Sequence, residues 1–93
     1  MQKLSEQEVQ QALTRLKGWS LENGEFVQQC TFKDFVGAMI FVNDVAQLAE
    51  TAGHHPDIDI RYNRVRLALV THDAGGITRN DTELAQKINN LAH

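Results

Sequence analysis

Apolar positions along this chain recur with two periods, and the points where one gives way to the other divide it into helices and strands. Leu4-Ser5-Glu6-Gln7-Glu8-Val9 has the form of a helix start, with Ser5 at the N-cap, Glu8 completing a capping box and Leu4 stapled against Val9. Val9, Ala12, Leu13 and Leu16 share one face, and Gly18 suits the left-handed residue just past the end, so a first helix runs from about Glu6 to Lys17. Period two takes over at Trp19-Ser20-Leu21 and Phe26-Val27-Gln28, which flank Glu22-Asn23-Gly24-Glu25. Asn-Gly supplies the two positive-φ positions of a hairpin turn, so Leu21 pairs with Phe26 and Trp19 with Gln28. Trp19, Leu21, Phe26, Cys30 and Phe32 then lie on one face.

From Lys33 to Ala52 the helical period returns through Phe35, Ala38, Met39, Val42, Val45, Ala46, Ala49 and Ala52, with Val36, Ile40, Phe41 and Leu48 to the side of that stripe. So wide an apolar surface in a small domain predicts a helix covered by a second copy of the chain as well as by its own sheet. Ile58 to Tyr62 and Val65 to Thr71 alternate as two further strands joined through Asn63-Arg64. In that register Tyr62 faces Val65, Ile60 faces Leu67, Ile58 faces Leu69, and continuing it brings His55 opposite His72. Gly75-Gly76 is a turn, Thr78 through Asp81 repeats the capping pattern, and Leu84, Ala85, Ile88, Leu91 and Ala92 mark a last amphipathic helix. Hairpins separated by helices predict an α+β fold: a four-stranded antiparallel sheet with three helices on one face, in the order helix-strand-strand-helix-strand-strand-helix.

Composition narrows the function. With 93 residues, 42% hydrophobic and 23% charged, residues 1–93 are expected to form one domain around one core. The net charge of -3 is mild and the basic residues are scattered, which points away from nucleic acid and anionic membranes. No apolar run is long enough to span a bilayer. A lone Cys30, with no charged and apolar leader pattern, makes a reducing cytoplasm the expected location.

Chemistry concentrates where the long helix stops, at Glu50-Thr51-Ala52-Gly53-His54-His55-Pro56-Asp57. Gly53 reads as the residue that ends the helix, and Pro56 drives His55 into an extended conformation. Glu50, one turn before His54, is placed to orient its ring if the helix persists that far, and the ordinary reading is a solvated glutamate. For His54 and His55 an exposed polar pair or a satisfied structural histidine stays open, as does a hydrogen-bonded strand-end role for His72. Three histidines near carboxylates would suit a metal, but neither an H-x-H nor an H-x-x-x-H spacing is present, so no metal site is expected. There is no phosphate loop or nucleophile elbow, and Cys30 reads as packing.

Gly53-His54-His55-Pro56-Asp57, Tyr62-Asn63-Arg64-Val65 and Thr71-His72-Asp73-Ala74-Gly75-Gly76-Ile77-Thr78 with Asp81, together with Gly18-Trp19, resemble the pterin-4a-carbinolamine dehydratases over nearly the full chain. The resemblance implies an α+β subunit assembled as a homodimer or homotetramer, using no metal or organic cofactor. Its reaction converts a 4a-hydroxytetrahydropterin to the quinonoid dihydropterin, in the cycle that serves aromatic amino-acid hydroxylases, which implies a pterin substrate and a hydroxylase as pathway partner. It further implies His54, His55 and His72 as catalytic histidines, with Glu50, His55, Pro56, Thr71, Asp73, Ala74 and Asp81 binding substrate. His54 and His72 are expected to exchange protons with the pterin, His55 mainly to bind it, and Glu50 to orient His54 or hold the ring. For Asp81 the helix-capping reading stands beside a site role. The alternative is a non-catalytic protein-binding module, since relatives serve as a dimerisation cofactor of a transcription factor or as an assembly chaperone. Retention of all three histidines favours the enzyme. One departure is Ile58, where the family commonly carries an aromatic that a flat pterin could pack against.

Overall fold

The computed structural model describes residues 2–91, so Ala92 of the last predicted helix lies outside the described residues. Three helices and four strands follow in the expected order: α1 (Glu6–Arg15), β1 (Trp19–Glu22), β2 (Glu25–Thr31), α2 (Phe35–Ala52), β3 (Asp57–Arg61), β4 (Arg64–Leu69) and α3 (Arg79–Asn89). The strands form one antiparallel sheet in the order β1-β2-β4-β3. Trp19, Phe26, Val65, Leu67 and Leu69 from one sheet face join Val9, Ala12 and Leu16 of the α1 region, Ala38, Phe41, Val42, Val45 and Ala49 of α2, and Leu84, Ala85 and Ile88 of α3 in a single core. The other face carries Ser20, Gln29, Asp59 and Arg66, with Val27 and Ala68 paired at its apolar centre. Among the described residues no helix is long and apolar enough to cross a membrane.

Local chemistry explains most boundaries. Ser5 and Glu8 form the expected capping box, and α1 closes at Arg15, two residues early, as the Leu16 N–H reaches only to the Leu13 carbonyl at 3.3 Å. Asn23 and Gly24 take φ of 52° and 79°, which fixes Leu21 opposite Phe26 and Trp19 opposite Gln28 as the sequence predicts. Asp34 caps α2 by accepting from the Gly37 N–H at 2.8 Å, so the helix begins at Phe35 rather than Lys33. The buried stripe of α2 is rotated from the predicted one: Phe41 is in the core, its ring 5.1 Å from that of Phe32, while Phe35 is half exposed.

The second hairpin is the main correction. Its loop is Tyr62-Asn63, not Asn63-Arg64, so Arg61 faces Arg64, Ile60 faces Val65 and Ile58 faces Leu67. Arg64 thereby escapes the left-handed region and Tyr62 enters it, at φ 54°. Asn63 anchors the turn: its Nδ2 donates to the Phe32 carbonyl at 2.9 Å and its own carbonyl accepts from the Phe32 N–H at 2.8 Å. Because the slip is even, Ile58 and Ile60 keep their face. The extrapolated pairing of His55 with His72 is lost, and β4 ends at Leu69, so His72 is not a strand residue.

Candidate active site

The end of α2 turns the two neighbouring histidines apart. Gly53 adopts φ 66°, a left-handed value open to glycine at little cost, and the His54 N–H reaches back to the Ala49 carbonyl at 3.1 Å. That closure ends the helix before His54, so the Glu50 carboxylate meets His55 Nε2 and not His54. The His55–Glu50 pair is open to water, with side chains 61% and 78% exposed. His54 is turned inward and is only 13% exposed.

Facing His54 is the fully buried Asp81 at the first turn of α3. Its Oδ1 lies 2.5 Å from His54 Nε2, while Oδ2 accepts from the Thr78 N–H at 2.9 Å and the Thr71 hydroxyl at 2.8 Å. Thr78 caps α3 by accepting from the Asn80 N–H at 3.2 Å, and its hydroxyl lies 2.8 Å from that of Thr71. Asp81 is thus the cap of α3 through Oδ2 and the partner of His54 through Oδ1, and it does not itself line the pocket. Thr78 was legible in the sequence only as a cap, because nothing in its spacing says what packs behind it.

Thr71 also shapes the loop that carries the third histidine. Its carbonyl accepts from the Ala74 and Gly75 N–H groups at 3.1 and 3.0 Å, its N–H donates to the Gly76 carbonyl at 3.0 Å, and Gly75 at φ 75° reverses the chain. The resulting turn, His72–Ala74, leaves His72 and Asp73 exposed. Gly53, His54, His55, Val70, Thr71, His72 and Asp73 line one open pocket of about 280 Å³. It brings all three histidines together although the pairing that suggested their meeting is absent. Pro56 and Ala74 are half buried beside it, Asp81 lies behind His54, and Ile58 sits on β3 at the sheet edge and does not line it. A larger cavity, about 440 Å³, is lined by Leu4, Val9, Leu21 and Ile77 among others and holds no histidine. Chemistry rather than size places the candidate site at the histidines. Among the described residues no three His, Cys, Asp or Glu side chains converge as metal ligands.

The fold and pocket together define an α+β protein with a three-histidine pocket at the end of α2, backed by the start of α3. The whole described chain, residues 2–91, matches the family model of pterin 4 alpha carbinolamine dehydratase. Proteins provisionally named pterin-4-alpha-carbinolamine dehydratase, from Acidobacterium capsulatum and from Chloroflexus aurantiacus, are each 56% identical over 91 residues. They cover 98% of this chain and 99% and 98% of their own lengths. A crystal structure described as a transcriptional coactivator/pterin dehydratase from Brucella melitensis superposes with a TM-score of 0.90 at 37% identity, over 94% of this chain and 95% of that one. A pterin dehydratase-like RuBisCO assembly factor of the alpha-carboxysome shares the fold at a TM-score of 0.62 and 18% identity, over 76% of this chain and 82% of its own. The chain belongs to the pterin 4 alpha carbinolamine dehydratase family.

Proposed function

We propose that this protein dehydrates a 4a-hydroxytetrahydropterin to the quinonoid dihydropterin by histidine acid–base catalysis, as a step in recycling a tetrahydropterin cofactor in the cytoplasm. The observation that carries this reading is the convergence of His54, His55 and His72 on one pocket, with His54 held from behind by buried Asp81. The reaction removes a proton from N5 and adds one to the C4a hydroxyl, which leaves as water. Imidazole serves in either role near neutral pH, its unperturbed pKa being about 6.5. His54 and His72 exchange protons with the pterin, and His55, tethered by Glu50, binds it. Thr71, Asp73, Pro56 and Ala74 form the surrounding wall, and Asp81 acts through His54. The test is stopped-flow dehydration of a 4a-hydroxytetrahydropterin by wild type, His54→Ala and His72→Ala. Wild type accelerates the reaction and each variant loses about a hundredfold or more of that acceleration. Unchanged rates in both variants would sink the assignment.

A protein-binding role has its own supporting observation. Phe35, Val36 and Ile40 of α2 are 49%, 65% and 58% exposed on one side of the helix. A second copy of the chain covers this surface in our reading, giving a homodimer or homotetramer. The Brucella melitensis relative is also described as a coactivator, so a foreign partner is the alternative occupant. Sedimentation at micromolar concentration separates these: an assembled species fits the homo-oligomer, and a clean monomer leaves the face to another protein.

A further inference from the structure

Proton directions behind His54 follow from counting donors. The Thr78 N–H can only donate, and it meets Asp81 Oδ2 at 2.9 Å. Thr71 has one hydroxyl proton, and it goes to the same Oδ2, 2.8 Å away. Thr78 Oγ1 accepts from the Asn80 N–H, so its own proton is left to serve Thr71 Oγ1. With two donors on Oδ2, the remaining acceptor of the buried carboxylate is Oδ1, and among the described residues the one group bonded to it is His54 Nε2. Among the described residues, His54 Nδ1 has no protein partner, and its ring lines the pocket.

We propose that Asp81, backed by Thr71 and Thr78, fixes the tautomer of His54: the proton sits on Nε2, and Nδ1 is the lone-pair nitrogen offered to the substrate. Asp81, Thr71 and Thr78 are thus positioning residues. Resting on the dehydratase reading for its use, this assigns the acid and the base. His54 Nδ1 takes the N5 proton, and the N5–H electron pair becomes the N5=C4a double bond. The C4a–O bond breaks with its electrons on oxygen, which takes a proton from a His72 imidazolium and leaves as water. The imidazolium formed at His54 keeps its Nε2–H on Asp81, the division of labour by which a carboxylate orients a catalytic imidazole.

Asp81→Asn discriminates this from a merely structural carboxylate. Since the Thr78 N–H can only donate, the new amide must present its oxygen there and its NH2 to His54. Nε2 must then accept, and the ring proton moves to Nδ1. The experiment is 15N spectroscopy of the full chain with labelled histidines, without substrate, at a pH where the imidazole is neutral. Wild type is expected to show His54 as the Nε2–H tautomer and Asp81→Asn as Nδ1–H, with kcat in the variant falling about a hundredfold while KM changes little. An Nδ1–H ring in wild type overturns the proposal, as does an unchanged tautomer in Asp81→Asn. Should that variant fail to fold, the wild-type spectrum decides alone. An Nε2–H ring in a protein that dehydrates no pterin would sink the proposed function and leave this inference standing.

Discussion

At the start of α1, Ser5 Oγ accepts from the Glu8 N–H at 3.1 Å and Glu8 returns the bond to the Ser5 N–H at 2.8 Å, both residues exposed to water. At the start of α3, Thr78 and Asp81 make the equivalent reciprocal cap with both residues fully buried. The second oxygen of Glu8 is open to water. Asp81 has a second oxygen that water cannot reach, and the protein must supply its donor, because an unpaired buried carboxylate oxygen costs several times what an exposed one does. That donor is His54. Burial thus turns a common helix-start motif into the support behind a pocket histidine, and the local sequence pattern is the same in both places.

Truncation separates the two caps most strongly. Asp81→Ala strands the Thr78 N–H, the Thr71 hydroxyl and the His54 ring together, and a loss of about 3 kcal/mol in urea unfolding is expected. A loss near 1 kcal/mol would reduce the α3 cap to the equal of the α1 cap. Ser5→Ala, by contrast, removes only a solvated cap and should cost about 1 kcal/mol. The same denaturation experiment checks it, and a cost matching that of Asp81→Ala would make the two caps equivalent. The smallest effect is one of pH. Hydrogen bonds from the Ser5 backbone and side chain hold the Glu8 carboxyl below its ordinary range. The unfolded chain then binds the proton first as pH falls, so the stabilisation is complete above the ordinary carboxylate range and is lost through it toward the lowered value. Stability measured from pH 6 downward should lose that part of its acid sensitivity in Glu8→Gln, and an unchanged profile would contradict the origin of the shift.

How much of this was legible in the sequence follows from the range of each interaction. Capping boxes, the Asn23-Gly24 turn and the Gly53 stop are written within a few residues, and all appear where expected. The second hairpin departs from its sequence pattern because Tyr62 occupies a left-handed position that a bulky residue seldom takes, and its anchor, Asn63 on Phe32, is a contact between distant segments. The histidines stand out in the sequence as a motif, but their partners do not. Glu50 was expected beside His54, and Gly53 breaks the helix one residue too soon for that spacing to hold, delivering the carboxylate to His55 instead. Asp81 reaches His54 across 27 positions, a pairing no local pattern records.

Whether the α3 cap serves the pocket while the α1 cap does not is read from one rate. Dehydration of a 4a-hydroxytetrahydropterin should be followed by stopped flow for wild type, Asp81→Asn and Glu8→Gln side by side. A fall of about a hundredfold in Asp81→Asn, with Glu8→Gln within twofold of wild type, is the expected result. Asp81→Asn turning over at the wild-type rate would contradict the account.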